Sequence, residues 1–152
     1  MDRRNVKQQV IDGARLRLQE AIAEHRERLE DLRSVTMEAD LSETASQSEG
    51  RREADVELMN GLGDQLEHLE RDMALLGQVD AGTLHEAVSF GSVVHTDRRD
   101  LLIATSVEEF EAAGRTYLGL SVRAPLYQAL SGKRVGEQAT VNGVTYIIRD
   151  IL

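Results

Sequence analysis

Ser121-Val122-Arg123-Ala124-Pro125-Leu126-Tyr127-Gln128-Ala129-Leu130-Ser131-Gly132-Lys133-Arg134-Val135-Gly136-Glu137 runs straight into Gln138-Ala139-Thr140-Val141, Asn142-Gly143 and Val144 to Ile151. Pro125 suits the first turn of a helix, where its missing N–H loses nothing. Leu126, Ala129 and Leu130 form one apolar face, and Gly132 ends the helix. Asn-Gly between two β-like runs predicts a hairpin, because both turn positions need positive φ. The end of the chain therefore reads as a short helix set among strands.

Three more β-like runs precede it: Val88–His95, Leu101–Thr105 and Thr116–Val122. Arg98 and Arg99 fall on the turn between the first two. The order is strand, strand, strand, short helix, strand, strand. That predicts a small antiparallel β domain with one short helix over 81–152, large enough to fold as a unit. Only five residues are aromatic and none is Trp. Burial must come from Leu, Val, Ile and Met, which suits helical seams and small sheets better than a deep ligand pocket.

The first half is helical in pattern. Over 5–37, Val6, Val10, Ala14, Leu18, Ala21, Ile22, His25, Leu29, Leu32 and Val35 recur at steps of mostly three and four. Gly13 is a flaw of about 1 kcal/mol against Ala. Over 56–77, Met59, Leu62, Leu66, Leu69, Met73 and Leu76 form a heptad seam, weakened at its start by Gly61 and Gly63. Two such helices back to back predict an antiparallel coiled-coil hairpin over 1–80. Each is roughly 45 Å long if it runs 30 residues. Gly77 and Gly82 bracket the helix stop and a linker, which is where a hinge is expected.

Between the helices, residues 42–55 hold no apolar side chain larger than Ala, so this run belongs in water at the far end of the hairpin. Glu38, Asp40 and Glu43 lead into it and Glu49, Glu53 and Asp55 lead out. Residues 1–37 hold eight Lys/Arg and seven Asp/Glu, 38–80 hold three and twelve, and 81–152 hold seven and eight. The net charge of −9 is thus concentrated at the tip and along the second helix. Such a surface repels free nucleic acid and suits a basic protein channel or a metal ion.

Other motifs point nowhere. His85-Glu86 has Ser89 where a zinc-binding helix needs a second His, and Gly132-Lys133 has Tyr127 where a phosphate loop needs Gly. No Gly-x-Ser-x-Gly elbow is present. His25 and His68 face each other across the helices or sit as seam residues. The chain has no Cys, in keeping with a reducing cytoplasm. No apolar run is long enough to span a membrane, and no apolar segment follows Met1-Asp2-Arg3-Arg4-Asn5 to make a secretory signal.

The stretch Ser121 to Glu137 resembles the C-terminal signature of the GreA/GreB transcription elongation factors: Ser/Ala-Pro-hydrophobic, small-Leu, Gly-Lys, then Gly-Asp/Glu. Phe90-Gly91-Ser92-Val93-Val94 looks like the opening strand of the same domain. The resemblance covers residues 88–152. It implies an FKBP-like fold that docks on RNA polymerase near its secondary channel, and the docking residues it implies are Pro125, Leu126, Ser131, Gly132, Lys133 and Arg134. The family also carries a coiled-coil hairpin whose tip reads Asp-Leu-x-Glu-Asn-Ala-x-Tyr. Here Asp40-Leu41-Ser42-Glu43-Thr44-Ala45-Ser46-Gln47 keeps the Asp, Leu, Glu and Ala, and departs at Thr44 and Gln47. The tail, with Asn142-Gly143 in its last hairpin, is similar to that of Gre-like proteins of the Bacteroidetes, whose tips also depart from GreA.

The resemblance implies a cytoplasmic, monomeric partner of bacterial RNA polymerase with no active site of its own. Asp40 and Glu43 would help hold an Mg²⁺ shared with the polymerase while backtracked RNA is cleaved, with Glu38, Glu49 and Glu53 in lesser roles. The 3′ end of the nascent RNA would be met only indirectly. Hard cations take oxygen ligands, and Mg²⁺ is often held by one or two carboxylates. The alternatives are a channel-binding inhibitor or competitor without cleavage, or a coiled-coil and FKBP-like module for another partner. A prolyl isomerase is a remoter reading, given so few aromatics.

Overall fold

The structure, a computed structural model, describes the backbone of residues 2–42 and 45–152 and the side chains of residues 2–35 and 53–152. It divides into two compact units, Met1–Leu18 with Asp72–Leu152, and Gln19–Arg71. The boundaries fall inside the two long helices rather than at 80/81, because the helix residues nearest the sheet pack with it. The fold is α+β. No described helix is long and apolar enough to cross a membrane.

The first unit is built on a six-stranded sheet in the order β3-β4-β2-β1-β6-β5. Its strands are β1 (Val93–Thr96), β2 (Asp100–Ala104), β3 (Val107–Ala112), β4 (Arg115–Ser121), β5 (Gln138–Val141) and β6 (Val144–Ile151), with helix α3 (Pro125–Leu130) between β4 and β5. The expected Asn142-Gly143 turn closes the β5–β6 hairpin, with φ of 51° and 78°. Two features correct the sequence reading. The sheet is mixed, not antiparallel, since β2 and β4 run parallel from Asp100↔Tyr117 to Ala104↔Ser121. And β3 went unread. In Val107-Glu108-Glu109-Phe110 the apolar residues are three apart, which breaks the alternation of a strand. A register shift between Val107 and Phe110 restores the phase and turns both inward.

β4 lies between β2 and β3, so the chain after β2 must cross its end to reach the outer position. Gly119 makes that crossing possible. A Cβ there would lie 2.5 Å from the Val107 Cβ and 2.7 Å from the Thr105 carbonyl oxygen. One face of the sheet packs on α3 through Val88, Val94, Leu101, Ile103, Leu120, Leu130, Ala139, Ile148 and Ile151. The other is covered by the opening turns of α1 (Arg3–Ser42). There a Cβ on Gly13 would sit 3.0 Å from the Phe110 ring, so the apparent flaw at Gly13 is what lets the helix lie close. With both faces covered, the central strands read as near-continuous apolar runs.

The segment after α2 (Ala45–Leu76) is not a free hinge. Asp80 accepts from the Gly82 N–H at 2.8 Å and the Thr83 hydroxyl at 2.9 Å. From α1, Arg4 donates to the Gly82 carbonyl at 2.9 Å and Lys7 to the Thr83 carbonyl at 2.5 Å. Lys7 is fully buried. Loss of water pushes its pKa down to about 8, against the opposing pull of Asp80. At the end of α2, buried Asp72 accepts from the Thr105 hydroxyl at 2.5 Å.

The second unit pairs the two long helices antiparallel. Arg26 meets Glu70 at 3.1 Å, and Leu32 and Val35 share a groove with Leu58 and Leu62. Met59, Leu62, Leu66 and Leu69 are half-buried while their neighbours Leu58, Asp64, Glu67 and Glu70 face water, as a heptad seam requires. His25 bonds to Gln65 at 3.0 Å rather than to His68. The helices reach further than the sequence suggests, α1 to Ser42 and α2 from Ala45, so most of the polar run 42–55 is helical.

Candidate protein-docking surface

The motif from Ala124 to Glu137 is mostly occupied in holding itself together. Ala124 is extended, with φ −67° and ψ 139°, and has no capping side chain. Its N–H donates to the Ser121 carbonyl at 3.0 Å, and the Arg123 N–H to the Ser121 hydroxyl at 3.1 Å. Pro125 opens α3, and Leu130 is fully buried at its end. Gly132 then turns the chain with φ +76°. Its N–H reaches the Val88 carbonyl at 2.8 Å, while the Val88 N–H returns to the Lys133 carbonyl at 2.9 Å. Glu137 accepts from the Arg134 N–H at 2.9 Å, and its own carbonyl accepts from Ile148 at 2.9 Å. Gly136, with φ +90°, donates its N–H to the Ile148 carbonyl at 2.9 Å, so Gly132, Gly136 and Glu137 are fold-making residues.

What remains for a partner are side chains on the loops flanking α3. Before the helix these are Val122 and Arg123. After it come Lys133, half-buried, then Arg134 and Val135, both exposed. Val135 is 56% exposed, high for an apolar residue. Arg134 has Glu86 within 3.7 Å as its neighbour of opposite charge. Of the expected docking residues, Pro125 and Ser131 are exposed and Leu126 is half-buried against the core. Val122, Arg123 and Val135 are additions that became visible once the loops were placed.

Asp40, Glu43, Glu38 and Glu49 lie outside the residues whose side chains are described; Glu53 is exposed on α2. Among the described residues, no group of three or more His, Asp or Glu is placed to hold a metal ion. On the second unit, Arg28, Asp31, Leu32, Val35, Leu58 and Leu62 line an open groove of about 490 Å³. Val35 and Leu58 there are 58% and 55% exposed.

A second gathering of polar groups lies inside the first unit, and sequence reasoning missed it. Strand register aligns Phe110, Tyr117, Asp100, His95 and Asp150 in one row across β3, β4, β2, β1 and β6, so these side chains share a face. His95 Nε2 lies 2.9 Å from the Tyr117 hydroxyl, and both residues are buried. Burial holds the imidazole below its ordinary pKa, more strongly than the Asp100 and Asp150 charges raise it. Burial likewise pushes the Tyr117 phenol up. Burial alone would raise the Asp150 carboxyl as well. Two bonds from Arg3, at 2.9 and 3.1 Å, together with the Arg3 charge, the Ile151 N–H and His95, outweigh it and hold that carboxyl below the usual range. The residues of this row are 55 positions apart at most in the sequence and follow no motif spacing, so only the register brings them together.

The class these observations define is a helical arm and a mixed-sheet α+β domain. No family model and no curated protein matches the chain. Among solved structures it is similar to the transcription factor Gfh1, at 20% identity and a TM-score of 0.38, over 91% of this chain and 93% of that one.

Proposed function

We propose that this chain is a Gre-like transcription factor that binds bacterial RNA polymerase in the cytoplasm and acts through the polymerase's active site, having none of its own. The observation that carries the proposal is the Ser121–Glu137 stretch, which resembles the family signature along its length. Its glycines and Glu137 serve the turn, which leaves Arg123, Lys133 and Arg134 available to a partner. The arm adds support. It is an antiparallel helix pair with an apolar groove open to solvent, in a segment that holds most of the negative charge. A narrow acidic probe of that kind suits a basic channel.

In this reading Asp40 and Glu43 are carried to the polymerase's catalytic centre. Two carboxylates there help hold the more weakly bound Mg²⁺ and orient the water that cleaves backtracked RNA. Thr44 and Gln47, which stand where the family has Asn and Tyr, favour a second reading: a factor that occupies the channel without promoting cleavage. The test is transcript cleavage on a stalled, backtracked bacterial RNA polymerase in Mg²⁺. Faster release of short 3′ fragments, lost in Asp40→Ala/Glu43→Ala, supports the cleavage factor. Slower intrinsic cleavage supports the channel competitor. No effect of either kind, at concentrations far above those of the polymerase, sinks both.

A further inference from the structure

The polar row beneath α1 carries chemistry that polymerase binding does not use. It opens into a cleft of about 390 Å³ lined by Arg3, Val6, His95, Ala113, Arg115, Tyr117, Asp150 and Leu152, a size in the range of small-molecule sites. The His95–Tyr117 pair has one donor too many. If the phenol donates to His95 Nε2, the imidazole carries its proton on Nδ1. If Nε2 donates to the phenol, the phenolic O–H is left over. Neither leftover group has another partner among the described residues. His95 is 9% exposed and Tyr117 1%, so bulk water does not readily satisfy them, and an unpaired buried donor is unfavourable.

The two arginines differ. Arg3 is engaged, giving Nη1 and Nη2 to Asp150 and Nη2 also to the Ile151 carbonyl at 2.8 Å. Arg115 makes one long contact, Nη1 to Asp100 at 3.3 Å. Its Nε and Nη2 have no partner among the described residues. Arg115 and Tyr117 are two apart on β4 and so face the same side. Val6, Ala113 and Leu152 supply apolar wall.

We propose that this cleft binds a small monocarboxylate with a short apolar tail. One carboxylate oxygen would accept from the open edge of the Arg115 guanidinium and the other from the donor left over by His95 and Tyr117. The tail would lie against Val6 and Ala113. Asp100 and Asp150 already balance the two guanidiniums, so a single added negative charge with two acceptor oxygens fits better than a dianion. The alternative occupant is an ordered water.

The test is NMR of the His95 ring nitrogens and the Tyr117 ring in the full chain, near neutral pH, with sodium butyrate titrated to tens of millimolar. Sodium chloride at matched ionic strength and neutral butyramide serve as controls. Saturable shifts with butyrate alone are expected. Arg115→Gln, at a half-exposed side chain, should weaken binding about tenfold, and Tyr117→Phe should weaken it as well. Non-saturating shifts, equal shifts with chloride, or unchanged affinity in both variants would overturn the proposal and leave the site to water.

Discussion

Gly119 and Lys7 show how single residues set the fold. At Gly119 the space for a methyl is already filled by the Val107 side chain and by the Thr105 carbonyl, which is backbone and cannot rotate away. Gly119→Ala should therefore destabilise the chain by about 1–3 kcal/mol, read as a lowered urea midpoint at unchanged slope. A midpoint within error of wild type would mean that the crossover is looser than it looks. Lys7 makes a pH-dependent prediction. Its folded pKa of about 8 lies below the ordinary lysine value of 10.5. In the window between them the unfolded chain binds more protons than the folded one, so the Lys7 contribution to stability rises with pH. Lys7→Met should remove that rise. The check is the difference in unfolding free energy between wild type and variant across pH 8 to 10. A difference that does not change across this window contradicts the buried, strained ammonium.

Among the elements, α2 carries two glycines that its packing does not need. Beyond its own helix backbone, a methyl at Gly61 or Gly63 would meet no atom of the described residues within 4 Å, so each change to Ala should stabilise the helix by about 0.5–1 kcal/mol. The helical circular dichroism signal through a urea titration should shift upward for each variant and further for the pair. A downward shift would mean that the glycines serve a bend or a contact. The seam beside them was legible in sequence, because Met59, Leu62, Leu66 and Leu69 keep an unbroken period. The β5–β6 hairpin was legible because Asn-Gly allows few alternatives, and α3 because Pro125 and Gly132 mark its ends. β3 was not, since its bulge hides the period, and the parallel β2–β4 pair was not, since pairing partners leave no trace in local pattern. The polar row was beyond reach for the same reason. His95 looked like one residue of an apolar strand, and it becomes part of a site only when Tyr117 and Asp150 are set in register beside it.

At the scale of the whole molecule, the residues of the Ser121–Glu137 stretch divide by role. Gly132, Gly136 and Glu137 build the turn, and Arg123, Lys133 and Arg134 are left for recognition, with Val122 and Val135 as exposed apolar neighbours. Basic side chains at the rim of an interface act mainly on partner choice and association rate, so reversing their charge should weaken binding without unfolding the domain. The proposed function requires that this chain bind bacterial RNA polymerase through that surface. The direct measurement is binding of the full chain to purified polymerase core enzyme, wild type against Lys133→Glu/Arg134→Glu, at low and physiological salt. Saturable binding by the wild type is expected, weakened about tenfold or more by the double reversal, with the fold intact by circular dichroism. No binding by the wild type at micromolar concentrations would contradict it.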